Sequence, residues 1–159
     1  MSAPAGDPTV EIVPYAPAHC DAFRRLNEAW ISRYFRIEAP DRRVLDAPQE
    51  QILDKGGQII VAVRDGDVVG VCALLRVDAA TLELAKMAVA DHAQGLGVGT
   101  RLGEAAIARA REAGASRLIL ESNTILAPAM ALYRKLGFIE VTGIPSEYSR
   151  CNIHMELPL

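Results

Sequence analysis

Cysteine is scarce and scattered. Cys20, Cys72 and Cys151 are the chain's only three, and none sits in a CxxC pair, so the spacing supports neither a disulfide framework nor a zinc site. His19, His92 and His154 are as widely separated and form no metal-ligand pattern, and no metal is expected. Basic charge is in short supply too: 17 Lys and Arg against 20 Asp and Glu leave a formal net charge of −3. Such a chain has no cationic field to gather it onto a nucleic-acid backbone. No stretch approaches the ~20 apolar residues of a membrane span, and the opening MSAPAGDPT lacks the basic start and apolar core of a secretion signal. Nucleic acid and membrane are set aside as partners, and a reducing cytoplasm is the expected setting.

What the chain does have is apolar content: half of its 159 residues are hydrophobic, enough for one domain that buries roughly two-thirds of its unfolded surface. Residues 1–8 read as a short leader and 9–159 as a single domain, because Pro and Gly gather into no linker. Val10–Val13 suggests a strand, and Phe23, Leu26, Trp30 and Ile31 recur at helical spacing within Ala18–Tyr34. Two prolines between Arg36 and Pro48 predict an irregular loop there, followed by a short helix to Asp54. Gln58–Arg64 and Val68–Val77 flank Asp65-Gly66-Asp67 and predict a β-hairpin, extended by Thr81–Val89 into an antiparallel meander. A helix from Gly97 or Val98 to Ala113, a strand over Ser116–Ser122, a helix over Pro128–Leu136 and strands at Phe138–Val141 and Ser149–Leu157 complete the order. The class is α+β: a mixed, mostly antiparallel sheet with helices on both faces.

The most informative segment joins the strand ending Met87-Ala88-Val89 to the following helix through Gln94-Gly95-Leu96-Gly97-Val98-Gly99-Thr100. Amides at a helix start point outward, lack intrahelical acceptors and sit at the positive end of the macrodipole, a site suited to a diphosphate. Glycines at 95, 97 and 99 keep side chains out of its way. A Walker A loop would need Lys before Ser or Thr, but Gly99 precedes Thr100; a dinucleotide fingerprint from Gly95 would need Gly or Ala where Thr100 stands. The same turn also suits a helix that merely packs close to a sheet.

Gln94 to Gly99 match the Q/R-x-x-G-x-G/A signature of the GNAT superfamily of acyl-CoA-dependent N-acyltransferases. The resemblance continues through Leu82–Val89 before the turn, Leu118–Asn123 after the helix, and Ala131-Leu132-Tyr133-Arg134-Lys135-Leu136-Gly137-Phe138, covering about residues 58 to 157. It implies acetyl-CoA as acyl donor, with its pyrophosphate on the amides of Gly95 to Thr100. Its pantetheine arm would pair with the backbone of Met87, Ala88 and Val89, in a slot where two strands splay apart. The family's frequent Asn seven residues before the helix tyrosine is Leu126 here, leaving Asn123 to substitute.

The resemblance also implies direct transfer to an amine within a ternary complex. An amine of pKa ~10.4 is almost all ammonium at pH 7, and freeing its lone pair costs about 4–5 kcal/mol. Two glutamates stand where the family places a base, Glu83 and Glu121, each inside a largely apolar run. Burial there would raise a carboxyl toward the useful range. Glu83 is favoured, directly or through water; alternatively either glutamate faces solvent or pairs with Lys86, Arg117 or Arg64. Tyr133 is the expected proton donor to the departing thiolate, or else a helix core aromatic beside Met130 and Leu136. Cys72, within Val-Gly-Val-Cys-Ala-Leu, reads as a buried hydrophobe, and Cys151 is not assigned as a nucleophile.

The resemblance further implies that the early helices and the loop before the last strand shape acceptor choice. Arg33, Arg36, Arg42, Arg43 and Arg150 fall in those segments and could clasp an acid group. The expected acceptor is therefore a small amine, amino-acid-like, with a protein or peptide N-terminus as an alternative. A noncatalytic acyl-CoA-binding module and an oligomer-building subunit are the competing classes. The C-terminal strands offer a route to a homodimer.

Overall fold

A computed structural model describes residues 9–159; the leader expected over 1–8 lies outside the described residues. Strands β1 (Glu11–Pro14), β2 (Gln58–Arg64), β3 (Asp67–Arg76), β4 (Thr81–Val89), β5 (Arg117–Ser122), β6 (Ile139–Val141) and β7 (Ile153–Pro158) form one seven-stranded sheet in the order β1-β2-β3-β4-β5-β7-β6. Every neighbouring pair is antiparallel except β4–β5. The helices are α1 (Cys20–Tyr34), α2 (Ala39–Asp46), α3 (Val98–Glu112) and α4 (Ala127–Leu136). No helix among the described residues is long and apolar enough to cross a membrane.

The central strands are buried on both faces, which is why β2 carries the continuous run Ile59-Ile60-Val61-Ala62 rather than alternating polar residues. Ile60 and Ala62 join Leu82, Leu84, Leu102 and Ala106 under α3, whereas Ile59 and Val61 join Phe23, Ile31 and Leu45 under α1 and α2. Asp65 and Gly66 take φ of 53° and 82°, the left-handed pair that a tight β2–β3 hairpin requires. At Gly70 of β3 an added Cβ would stand 2.7 Å from Val98 Cγ1, so the bare backbone lets the first turn of α3 seat directly on the sheet.

Three expectations are corrected. The segment Arg36–Pro48 is not an irregular loop but contains α2. Pro40 sits in its first turn, where a missing N–H costs nothing. The Asp41 carboxylate accepts the Glu38 N–H at 2.9 Å, and Leu45 is fully buried. The last strand starts at Ile153, not Ser149, because the Ser149 N–H and hydroxyl are drawn off to Glu38 Oε1 at 2.9 and 3.1 Å. The short helix expected up to Asp54 is a single wide turn, Gln49–Leu53, closed by Asp54 N–H donating to the Gln49 carbonyl at 2.8 Å.

β4 carries the irregularity that shapes the site. Its register against β3 slips between Val71 and Ala73, and Lys86 adopts φ of 53°. This bulge sends Lys86 to α2 on the same face as Ala88, and leaves Met87 and Val89 packed toward α3.

Candidate active site

β4 and β5 pair for only three rungs, Thr81 with Arg117, Leu82 with Leu118 and Glu83 with Ile119. Beyond them β4 runs on to Val89 and β5 to Ser122 without meeting. The unpaired ladder groups of the diverging strands open into a cavity of about 1210 Å³. At its head lies the glycine turn, where Gly95 and Gly97 take φ of 81° and 76° and Gly97 caps α3. Among the described residues, none of the amides from Gly95 to Thr100 donates to a protein acceptor, the next, Arg101, being the first to bond, to the Gly97 carbonyl at 3.0 Å. The Gln94 side chain holds the turn to the end of β4 through the Val89 carbonyl at 3.1 Å. Gly95, Gly97, Val98, Gly99 and Thr100 line the cavity with Gln94; Leu96 does not, and is exposed.

Met87, Ala88 and Val89 form one wall, with Glu83, Glu121, Asn123 and Tyr133 around the same space. Glu83 and Glu121 alternate with the α3-facing Leu82, Leu84, Leu118 and Leu120 and so share the opposite sheet face. Burial raises the Glu83 carboxyl to about 7, aided by the negative charges of Glu121 and Glu147 and opposed by Lys86. Glu83 has no hydrogen-bond or ion-pair partner among the described residues. Glu121 is held by His154 Nε2 and by the Ser146 hydroxyl, each at 3.1 Å. Tyr133 enters from the α3 side, its ring edge-on to Phe138 at 6.1 Å. Its hydroxyl is pushed up to about 12, chiefly by burial and secondarily by Cys72. Cys72 is fully buried and its thiol likewise raised to about 12, so it is inert packing.

The pattern of the acetyltransferase (GNAT) family matches residues 23–138. The chain belongs to that family. Among curated proteins, this GNAT chain is 40% identical over 85 residues to an IAA acetyltransferase of Azospirillum brasilense, a match covering 52% of the chain and 55% of the relative. It is 39% identical over 90 residues to an N-acetylaspartate synthetase of Danio rerio, covering 56% of the chain and 32% of the relative. The chain thus matches about half and about a third of the length of these curated relatives. The GNAT fold is shared with an acetyltransferase from Staphylococcus aureus Mu50 at TM-score 0.86 and 20% identity, covering 94% of this chain and 99% of that one. A Salmonella typhimurium protein determined with its cofactor acetyl-CoA superposes at TM-score 0.76 and 20% identity, covering 94% of each chain.

The structure thus brings the GNAT signature, Glu83, Glu121 and Tyr133 to one cavity. Asn123 also lines it, but its side chain donates to the Arg150 carbonyl at 2.7 Å and accepts the Ile125 N–H at 2.9 Å; both its polar atoms are engaged in building the wall. Neither glutamate pairs with the cations considered from sequence. Lys86 turns to Asp41, and Arg117 to Glu156 and the Thr81 hydroxyl.

Sequence reasoning missed the node beside them. Asp41, with no exposure at all, accepts Lys86 Nζ at 2.6 Å and both Arg150 guanidinium nitrogens at 2.7 and 2.6 Å. Those donors hold its carboxyl at about 2 against the opposing effect of burial. Tyr148 lies between the cations, 4.6 Å from Lys86 Nζ and 4.4 Å from Arg150 Cζ by ring centroid. The node clamps the loop before β7 to α2 and to the β4 bulge.

Proposed function

We propose that the protein transfers the acetyl group of acetyl-CoA to the primary amine of a small molecule by direct attack in a ternary complex. The observation that carries this is the pairing of six unbonded turn amides with a strand edge left vacant below them. The pyrophosphate would sit on Gly95 to Thr100, and the pantetheine arm would take the place of a strand beside Met87–Val89. A structural relative determined with acetyl-CoA and two curated relatives named for acetylation support the donor.

On the acceptor side the amine attacks the thioester carbonyl, the C–S bond breaks, and the ammonium proton passes to Glu83, directly or through water. With a carboxyl raised to about 7, Glu83 is partly ionised at neutral pH and basic enough to take that proton. Tyr133 stays protonated throughout, and donates a hydrogen bond to the departing sulfur. Full transfer from a group near 12 to a thiolate whose acid has a pKa of about 8.5 is uphill. Tyr133→Phe is therefore expected to lower kcat by about tenfold, the worth of one hydrogen bond, with KM for acetyl-CoA and thermal stability unchanged.

The choice of an amino-acid-like acceptor draws on Arg33 and Arg43, which line the cavity. Arg33 pairs with Asp91 and also meets the Tyr34 side chain, and Arg43 pairs with Glu147; both ion pairs are exposed and cost little to exchange for a substrate carboxylate. Arg150 and Arg42 are committed elsewhere, Arg150 to the Asp41 node and Arg42 to Glu28 and Asp46, and Arg36 does not line the cavity.

The test is amine-dependent release of free CoA thiol across a panel of amino acids and simple amines, run beside a CoA thermal-shift titration. Saturable stabilisation with turnover on some panel amine is expected. Stabilisation without turnover would point to a noncatalytic acyl-CoA-binding module, and no stabilisation would remove the coenzyme site altogether.

A further inference from the structure

Glu121 and His154 face each other across the β5–β7 ladder, with His154 Nε2 3.1 Å from Glu121 Oε1. The chain enters β7 through a turn closed by Cys151 N–H on the Tyr148 carbonyl and Asn152 N–H on the Ser122 carbonyl. That turn brings Cys151 Sγ to 3.8 Å from the same ring nitrogen. The carboxylate, imidazole and sulfur donor atoms all lie within 4.8 Å of one another, and all three residues are half-buried.

This arrangement is not a nucleophile relay. A thiol–imidazole–carboxylate relay needs the acid on the ring nitrogen opposite the thiol, whereas here both groups converge on Nε2. A nitrogen that donates its proton to Glu121 has no lone pair left to activate Cys151. Convergence of sulfur, nitrogen and oxygen on one point instead suits a tetrahedral ion, whose bonds of about 2.0–2.3 Å set ligand atoms a few ångströms apart. Thiolate with imidazole favours zinc over the hard cations magnesium and calcium.

We propose that Glu121, Cys151 and His154 bind a zinc ion whose fourth coordination position opens into the acceptor side of the cavity. Cys151 and Glu121 both line that cavity, so an incoming amine or water completes the shell. Binding deprotonates the thiol and moves the remaining imidazole proton to Nδ1, releasing one proton per ion. Nδ1 has no hydrogen-bond partner among the described residues, so the ring lacks the outer support that structural zinc sites have and the ion exchanges readily. Zinc bound by the carboxylate and the thiolate cancels the negative charge that would attract an ammonium to this wall, and captures the lone pair of a free amine. It is therefore an inhibitor, a consequence that rests on the transferase proposal, whereas the binding itself does not.

The test is calorimetric titration of the chelator-stripped full chain with Zn²⁺ in two buffers of different ionisation enthalpy, repeated with Co²⁺ to read thiolate-to-metal charge transfer. One ion per chain, about one proton released, and affinity lowered about tenfold or more in both Cys151→Ser and His154→Ala are expected. Circular dichroism checks that each variant is folded, and Glu121→Gln replaces either one that is not. Absence of saturable binding in the micromolar range, or equal affinity in the variants, overturns the site. Zinc that binds without slowing acetyl transfer overturns the inhibition, and a chain inactive on every amine leaves the isotherm to decide the site by itself.

Discussion

Asp41→Ala is expected to cost about 3–5 kcal/mol of folding free energy. Alanine removes the one anion shared by Lys86 and Arg150, and their side chains are only 5% and 13% exposed. Arg150 keeps Glu38 at 3.3 Å, but Lys86 loses its anion and cannot regain its hydration without the loop before β7 peeling away. Asp41→Asn, which keeps the volume and one acceptor oxygen, should lose less. The pH dependence has a defined sign. A carboxyl held at about 2 in the folded state, below its ordinary value near 3.8, contributes stability that is fully present above that value and vanishes as pH falls toward 2. Urea denaturation at pH 7 should show the full gap between wild type and Asp41→Asn. The gap should narrow on acidification below pH ~4, and a constant gap would show that the carboxylate charge is not what the node depends on.

Glu83→Gln is expected to lower kcat/KM by about 10²–10⁴, and to remove the rise in rate through pH ~7 expected of the wild type as a carboxyl raised to about 7 titrates. Stability moves the other way. A raised carboxyl binds its proton more tightly folded than unfolded, so the wild type loses stability as pH climbs from its ordinary value near 4.5 to about 7. Glutamine carries no such penalty. The variant should gain up to about 3 kcal/mol at pH 8 and little at pH 4, as measured by thermal melts at both. Slower and more stable together would mark a group kept unpaired for its chemistry. Unchanged kcat/KM would pass the role of base to Glu121 or to solvent.

Much of the proposed donor side could be read from the chain alone. Thr81–Val89, the glycine turn and the helix after it are contiguous, and their signals are local: β-branched and apolar alternation, glycines free to take positive φ, then a helical face. The acceptor side resisted because its signals are not local. Pro40 looked like a breaker until its place in a first turn gave it a use, and with α2 unread Asp41 had no element to stand on. Lys86 leaves the ordinary strand alternation only because of a bulge in the pairing with β3, which a single strand does not reveal. Glu121, Cys151 and His154 match no metal spacing because register across β5 and β7, rather than distance along the chain, brings them together.

The separation has a consequence for how such a protein changes. The proposed coenzyme half is drawn from an unbroken stretch, Thr81 to Tyr133, whereas the opposite half is sewn from residues near 33–43 and 146–151 that meet through Asp41 with Arg150, Glu38 with Ser149 and Arg43 with Glu147. Substitutions in those two outlying segments can retune which molecule is modified while the inherited donor chemistry stays untouched. A graft that exchanges one segment without its counterpart would strand a buried charge. Substrate preference should therefore drift in matched pairs of replacements, one early and one late in the polypeptide.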